Sequence, residues 1–444
     1  LNQDLTEKPE TQSADPSQTE GPTLSEARGL GGRRAVELLV VLAVVVYLGY
    51  YTHTLPTLAV VAAIVAMIMI HELGHFIAAK VSHMKVTEYF LGFGPRVWSF
   101  RKGETEYGVK LLPLGGYVKI IGMSSADEVR PEDEPRTYRQ ASFPRRLAVA
   151  VAGSFMHFVM AFGILLTLLF MYGFANPNVV EIGAVTNFSN LTSPAVIAHL
   201  KPGEVILSAD GKEVTSGSEL ANIIGSSVGK PVTLSVQDGS KVIHTSVVPV
   251  DGRSVKVNGQ SYLPKGSKAR GVIGIGIVEG NSRYSFFGAL SAAGSDMISF
   301  SAQTVTSLAS HFSPHGISAY FGQLVHPSTN PASKGAQARF ASPVGIVRLA
   351  SQAAQSGFEA VLALLFSINI FVGIFNMIPL LPLDGGHVVI AIYERIRSKR
   401  GRPYHADILK MMPLTYAVIF VLILISATAL YLDITHPVGN PFVR

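Results

Sequence analysis

Ile68-Met69-Ile70-His71-Glu72-Leu73-Gly74-His75-Phe76-Ile77-Ala78-Ala79 closes an apolar run, residues 57–79, whose only ionisable side chains are His71, Glu72 and His75. About 20 apolar helical residues cross the ~30 Å hydrocarbon core of a bilayer, so this run predicts a membrane-spanning helix. On a helix, imidazoles four residues apart share a face and can share a metal, with the intervening glutamate beside them. Such pentapeptides also arise by chance, and the bland reading is a helix end breaking the membrane surface with two interfacial histidines. Three ionisable groups inside an apolar span are costly unless they have partners or a function, which favours a site.

The rest of the chain agrees with a membrane protein. Of its 444 residues, 48% are hydrophobic and only 15% charged, against roughly 25% charged in an ordinary soluble domain. The net charge of +6 comes from basic residues clustered in loops beside apolar runs, as expected of loops facing anionic lipid. No basic stripe interleaved with aromatics points to nucleic acid. Cysteine is absent, so disulfides and thiolate metal sites are excluded, and any metal must sit on His, Asp or Glu.

Working outward, residues 1–34 form a polar tail rich in Pro, Ser, Thr, Glu and Gln, predicted to be disordered. It is not a signal peptide, since no small-residue cleavage site follows its arginines. Residues 35–56 form an extra N-terminal transmembrane arm, whose apolar part (38–51) is short for a full span. Further apolar runs at 147–174, 358–381 and 414–432 bring the expected count to five spans. The segment between the second and third runs carries Lys80, Lys85, Arg96, Arg101, Lys102, Arg145 and Arg146. That between the fourth and fifth carries Arg395, Arg397, Lys399, Arg400 and Arg402. Both loops, with the Arg33-Arg34 tail, are predicted cytoplasmic, which puts residues 176–339 outside. Within that outer segment, β-rich stretches at 205–208, 232–236, 242–248 and 272–278, Asp-Gly turns and a helix at 218–224 predict a small α+β domain over 176–280. A linker with interfacial helices follows over 281–357. The membrane core is thus expected in two halves, 57–175 and 358–444.

A catalytic zinc takes three protein ligands and keeps a fourth position open. The candidate third ligand is Asp384, in Leu383-Asp384-Gly385-Gly386-His387, just past the fourth apolar run. His71 and Asp384 both fall near the inner ends of inward-running spans and reach similar depth. The alternative for Asp384 is a plain Asp-Gly turn; His387 ranks below it as a ligand.

His-Glu-Leu-Gly-His, followed far along by Asn376-Met377-Ile378-Pro379-Leu380-Leu381-Pro382-Leu383-Asp384-Gly385-Gly386-His387, resembles the site-two protease family of intramembrane metalloproteases, in its bacterial branch with a PDZ domain. Phe90-Leu91-Gly92-Phe93-Gly94-Pro95 and Leu114-Gly115-Gly116-Tyr117-Val118-Lys119 resemble that family's re-entrant β-hairpin, expected over 90–123. Ser193-Pro194-Ala195 and Leu200-Lys201-Pro202-Gly203-Glu204 resemble its PDZ module. The resemblance implies an α-helical polytopic membrane protein with a re-entrant β-hairpin and an inserted PDZ-like domain. It also implies a Zn2+ cofactor on His71, His75 and Asp384, with Glu72 as general base and then acid. Asn376 matches the family asparagine that positions substrate or its oxyanion; a helix-end or bundle hydrogen bond is the competing role. The implied activity is regulated intramembrane proteolysis of single-pass membrane proteins in the plasma membrane, with anti-sigma factors or signal-peptide remnants as examples. A peptide or substrate tail would sit at the PDZ-like domain. One departure is that Gly153-Ser154-Phe155-Met156-His157 stands where the family has Gly-Pro-x-x-Asn, and His157 is read mainly as a packing substitution. A silent PDZ scaffold is disfavoured by the intact Glu72. A metal transporter is disfavoured because its ionisable residues should recur in two related halves.

Overall fold

The structure, a computed structural model, describes residues 24–123, 128–239, 241–257, 259–264, 266–282, 284–398, 404, 406 and 408–442. In chain order the elements are α1 (Leu24–Tyr51), α2 (Leu55–Val81), β1 (Val86–Lys102), β2 (Thr105–Ile120), α3 (Phe143–Met171), β3 (Phe174–Val185), α4 (Pro194–Ile197), β4 (Val205–Ala209), β5 (Lys212–Glu213) and α5 (Gly217–Ser226). There follow β6 (Val232–Asp238), β7 (Lys241–Val247), β8 (Val250–Asp251), β9 (Lys256–Val257), β10 (Gln260–Ser261), β11 (Gly271–Val272), β12 (Ile275–Ser282) and α6 (Phe286–His311). The chain ends with α7 (Pro314–Val325), α8 (Lys334–Gln337), α9 (Pro343–Ser356), α10 (Phe358–Asn376), α11 (Asp384–Arg397) and α12 (Met412–Thr435). Two compact units result, one of Leu1–Ala161 with Ser301–Arg444 and one of Phe162–Phe300.

Among the described residues, four helices are long and apolar enough to cross a membrane: α2, α3, α10 and α12. With them the chain is a multi-pass membrane protein. Of the expected fifth span, only Val36–Tyr51 of α1 is apolar, short of the ~20 residues a crossing needs. The tail differs from expectation. Residues 1–23 lie outside the described residues, but α1 begins at Leu24, ten residues inside the stretch expected to be disordered. Its start holds Leu24, Glu26, Ala27 and Arg28, good helix formers, and no proline separates them from the apolar run, although Gly29, Gly31 and Gly32 between the two carry no helical preference of their own.

In the first unit, α2 opens with Pro56 in its first turn, where the missing N–H costs nothing. The expected hairpin is longer and more folded than a simple ribbon. Residues 88–91 of β1 stand opposite 116–119 of β2 on one side and 106–109 on the other, while 96–102 pair with 105–110. Bends in β1 at Gly92 (φ 87°) and Gly94 (φ 84°), in the left-handed region that glycine tolerates, let its two halves lie on either side of residues 106–109 of β2. Segment 116–119 is left as an outer edge of this curled sheet. A core of Ala79, Met84, Val86, Ile120, Tyr138 and Val149 ties the sheet to the end of α2 and the start of α3. At its tip, Glu104 accepts from Arg136 (2.8 and 2.9 Å) and from Lys80 Nζ (2.6 Å). The Arg136 guanidinium, with Lys80, holds the Glu104 carboxyl below the usual carboxylate range.

The second unit is an α+β module. Its main sheet runs β12-β3-β4-β6-β7, with β5 on β4. The core is almost wholly aliphatic and includes Val180, Ile182, Ile206, Leu220, Ile224, Leu234 and Val236. Strands β4, β6 and β7 and helix α5 fall where alternation and turn residues predict them. Strand β3 adds to the expected strands: it starts where the third apolar run ends and lies almost wholly in the segment assigned to the module. Phe174 stands opposite Ser282, so the module enters and leaves the chain side by side. The segment expected as linker with interfacial helices contains α6, 26 residues long, and α7 to α9.

Candidate active site and metal centre

Helix α2 supplies His71, Glu72 and His75. Both histidines are buried, and Glu72 is half-buried beside them. Asp384 is the first residue of α11, eight positions beyond the end of α10 at Asn376. A buried ion pair between Arg146 of α3 and Glu394 of α11 fixes α11 against the bundle. Glu394 also accepts from the Ala406 backbone N–H at 2.6 Å. The tertiary fold therefore delivers Asp384, more than 300 residues away in sequence, to the two imidazoles.

The geometry is that of a three-ligand site. His71 Nε2 and His75 Nε2 are 3.2 Å apart, and Asp384 Oδ2 lies 3.4 Å from the first and 3.3 Å from the second. A tetrahedral zinc with ligands at about 2.0–2.1 Å separates its ligand atoms by about 3.3–3.4 Å, the edge of the tetrahedron. The observed triangle matches that edge. Asp384 Oδ2 is buried without a hydrogen-bond partner, although two ring nitrogens face it. A carboxylate oxygen converging with two imidazole nitrogens in this way is a donor set suited to a cation. His75 Nδ1 donates to Val149 O at 2.7 Å, which leaves Nε2 with its lone pair directed at the triangle.

Three neighbours shape the cavity. Helix α3 presses its backbone against the imidazoles at Gly153, where a Cβ would fall 2.3 Å from His75 Nε2 and 2.6 Å from His71 Nε2. Edge segment 116–119 passes the glutamate, with a Cβ on Gly116 falling 3.1 Å from Glu72 Cγ. An apolar groove of about 640 Å³ lies between α6, α10 and α12, and its lining includes Phe375 and Leu383, the neighbours of Asn376 and Asp384.

Of the residues singled out in the sequence, His71, His75 and Asp384 come together, with Glu72 alongside. Asn376 is half-buried, and among the described residues its amide makes no hydrogen bond, so the structure offers no bundle bond as its role. His387, one turn into α11, is outside the cluster of ligand atoms. His157, read in the sequence mainly as a packing substitution, lies beside the cluster. Its ring centroid is 5.0 Å from that of His71. Gly153 and Gly116 fall in motif stretches of the sequence, but only the closeness of the backbones shows what they do.

Comparison with known proteins points the same way. The profile described as "Peptidase family M50" matches residues 59–422. Zinc metalloprotease Rip1 of Mycobacterium tuberculosis is 30% identical over 411 residues, covering 85% of this chain and 96% of that protein. Zinc metalloprotease Rip1 of Mycolicibacterium smegmatis is 30% identical over 407 residues, with the same coverage.

Proposed function

The chain belongs to peptidase family M50, and on that premise we propose that His71, His75 and Asp384 hold the zinc of an intramembrane metalloprotease in which Glu72 moves the protons. The zinc-protease activity follows from the family and its relatives. The assignment of residues rests on one observation above the others: the 3.2–3.4 Å triangle of ligand atoms, which fits tetrahedral zinc.

Zinc, when bound, supplies Lewis-acid polarisation of the scissile carbonyl and activation of water. The chain's own groups carry the remaining steps. Glu72 takes the proton of the attacking water as oxygen adds to the carbonyl carbon. It then delivers that proton to the amide nitrogen as the C–N bond breaks, leaving a carboxylate and an amine. The Asn376 amide donates to the developing oxyanion. Its lack of a partner among the described residues supports this role over a structural one. Edge segment 116–119, running past Glu72, accepts an extended substrate as an added strand. A transmembrane segment must unwind before its peptide bonds become accessible, and an unpaired edge offers its backbone hydrogen bonds in exchange. The apolar groove between α6, α10 and α12 supports transmembrane segments of single-pass proteins as the substrate class.

The positive loops support a reading with the zinc near the cytoplasmic face and the α+β module, read as PDZ-like, outside. The module's paired ends suit an insertion that filters bulky substrate ectodomains. Single cysteines at exposed Gln140, Ser226 and Arg395 in this thiol-free chain test the topology. An impermeant reagent added to intact cells should label only Ser226→Cys, and labelling of Gln140→Cys overturns the orientation.

Metal analysis of full-length protein tests the site. Wild type should carry about one zinc, and His71→Ala and Asp384→Ala much less. Equal zinc in all three removes the assignment.

A further inference from the structure

Metal-binding histidines almost always donate their second ring nitrogen to a carbonyl, carboxylate or water, and this fixes the ring. His75 obeys the rule through Val149 O. His71 does not. Its Nδ1 is buried with no partner at full hydrogen-bond geometry, and a weaker contact with the Gly153 backbone is the support that remains on that side. A contact of that kind fixes the ring plane that aims Nε2 at Asp384 less firmly than the Val149 bond fixes His75.

One further group stands beside this ring. His157 sits one helical turn beyond Gly153 on α3, hence on the same face. Its ring lies 5.0 Å from the His71 ring, centroid to centroid, tilted by 42°. It is almost fully buried, at 2% exposure, and is itself tethered. Asn369 of α10, at 0% exposure, donates its Nδ2 to Leu365 O at 2.8 Å. Its Oδ1 therefore faces His157 Nδ1 at 2.9 Å, and the imidazole must be the donor. Gly373, one turn further along α10, leaves room for this ring, since a Cβ there would come within 3.1 Å of His157 Cβ. Asn369, Gly373 and Gly153 thus form a seat for one imidazole, and that imidazole faces the metal site without belonging to its ligand cluster.

We infer that His157, anchored by Asn369, is a positioning residue for the zinc ligand His71: its ring face supplies the orientation that a hydrogen bond to Nδ1 supplies elsewhere. The inference rests on the zinc assignment proposed above. It predicts that the ring at position 157 sets metal affinity and ligand geometry even where the fold is intact. Losing an outer-shell partner of a metal ligand costs roughly 10–100-fold in affinity.

The test uses the full-length protein in detergent, titrated with zinc against a competing chelator, with the visible spectrum of the cobalt-substituted form as a second readout. His157→Ala should bind zinc about ten-fold or more weakly and alter the cobalt bands. The pair His157→Phe with Asn369→Leu keeps a ring against His71 and removes both polar partners together, a change that leaves no buried donor unsatisfied. It should hold zinc within about three-fold of wild type, well inside the 10–100-fold loss expected when the support is gone. Wild-type affinity and cobalt spectrum in His157→Ala overturn the inference, as does a double variant as weak as His157→Ala. A pure packing role lowers the melting temperature of the metal-free protein and leaves the affinity of the folded fraction alone, which also overturns it. His71→Ala separates the two proposals, because zinc retained there sinks the ligand assignment itself.

Discussion

Both units of this protein have apolar cores, but the membrane unit inverts the usual surface, turning apolar side chains outward and enclosing a cluster of ionisable groups. In the α+β module the interior is aliphatic, from Val180 to Leu234, and charged pairs such as Lys212–Glu219 lie at the surface. In the membrane unit large apolar side chains face outward, among them Leu414, Tyr416, Phe420 and Ile423 on α12. Its interior holds His71, His75, His157, Asn369, Arg146 and Glu394. The solvent accounts for the inversion. Water drives apolar groups together, whereas lipid gives them no such incentive and makes polar groups seek one another. A buried polar residue in the membrane unit is therefore a statement about function or positioning, and a buried apolar one in the module is a statement about stability.

That contrast can be broken at four points. The largest expected effect is at Glu72. Glu72→Gln should lower cleavage of a transmembrane substrate by about 10²–10⁴-fold with zinc content unchanged, as removal of a general base predicts. Near-wild-type turnover would mean that this interior carboxylate is structural after all. Gly153→Ala comes next. Its added methyl has no room between the imidazoles, so zinc occupancy by metal analysis should fall about ten-fold or more. Retained zinc would show that α3 yields at this contact.

Leu220→Ala tests the other unit. Leu220 is fully buried in the module core, and the substitution should cost about 2–5 kcal/mol in denaturant unfolding of the module. Zinc content should stay at the wild-type level, and its loss would show that the two interiors are not separate. The smallest effect is at the tip of the curled sheet. Because the folded pKa of Glu104 is depressed, its ionised form contributes stability that is complete above the ordinary value of 4.5. That contribution is lost as pH falls through the lower folded value. The melting temperature of Glu104→Gln should therefore lie below wild type at pH 7 and converge with it on acidification. A difference that persists at the lowest pH would assign the effect to packing.

Much of this was legible in the chain. A four-residue spacing puts His71 and His75 on one helix face whatever the rest does, and apolar length marks α2, α3, α10 and α12 without reference to their neighbours. In the module, strict alternation exposed β6, and the Asp238-Gly239 turn marked its end. Strand β3 was not among the expected strands because Asn176, Pro177 and Asn178 near its start break the alternation and read as a turn. The fold of β1 and β2 into four side-by-side segments was missed because pairing partners are set by bends at Gly92 and Gly94, which local pattern does not report.

The sequence by itself determined the chemistry on offer: two imidazoles and a carboxylate on one helix, an aspartate just past a distant apolar run, and no thiols. Periodicity and hydropathy are local quantities, and local quantities suffice for that. Only the tertiary structure decided the distances, namely the 3.2–3.4 Å triangle with Asp384, the bare backbone of Gly153 against both rings, and the His157 ring beside His71. Those depend on how closely three helices approach, which is settled by backbone contact and by buried pairs such as Arg146–Glu394 and His157–Asn369. Each such pair joins residues more than 200 positions apart, and no window along the chain contains both partners.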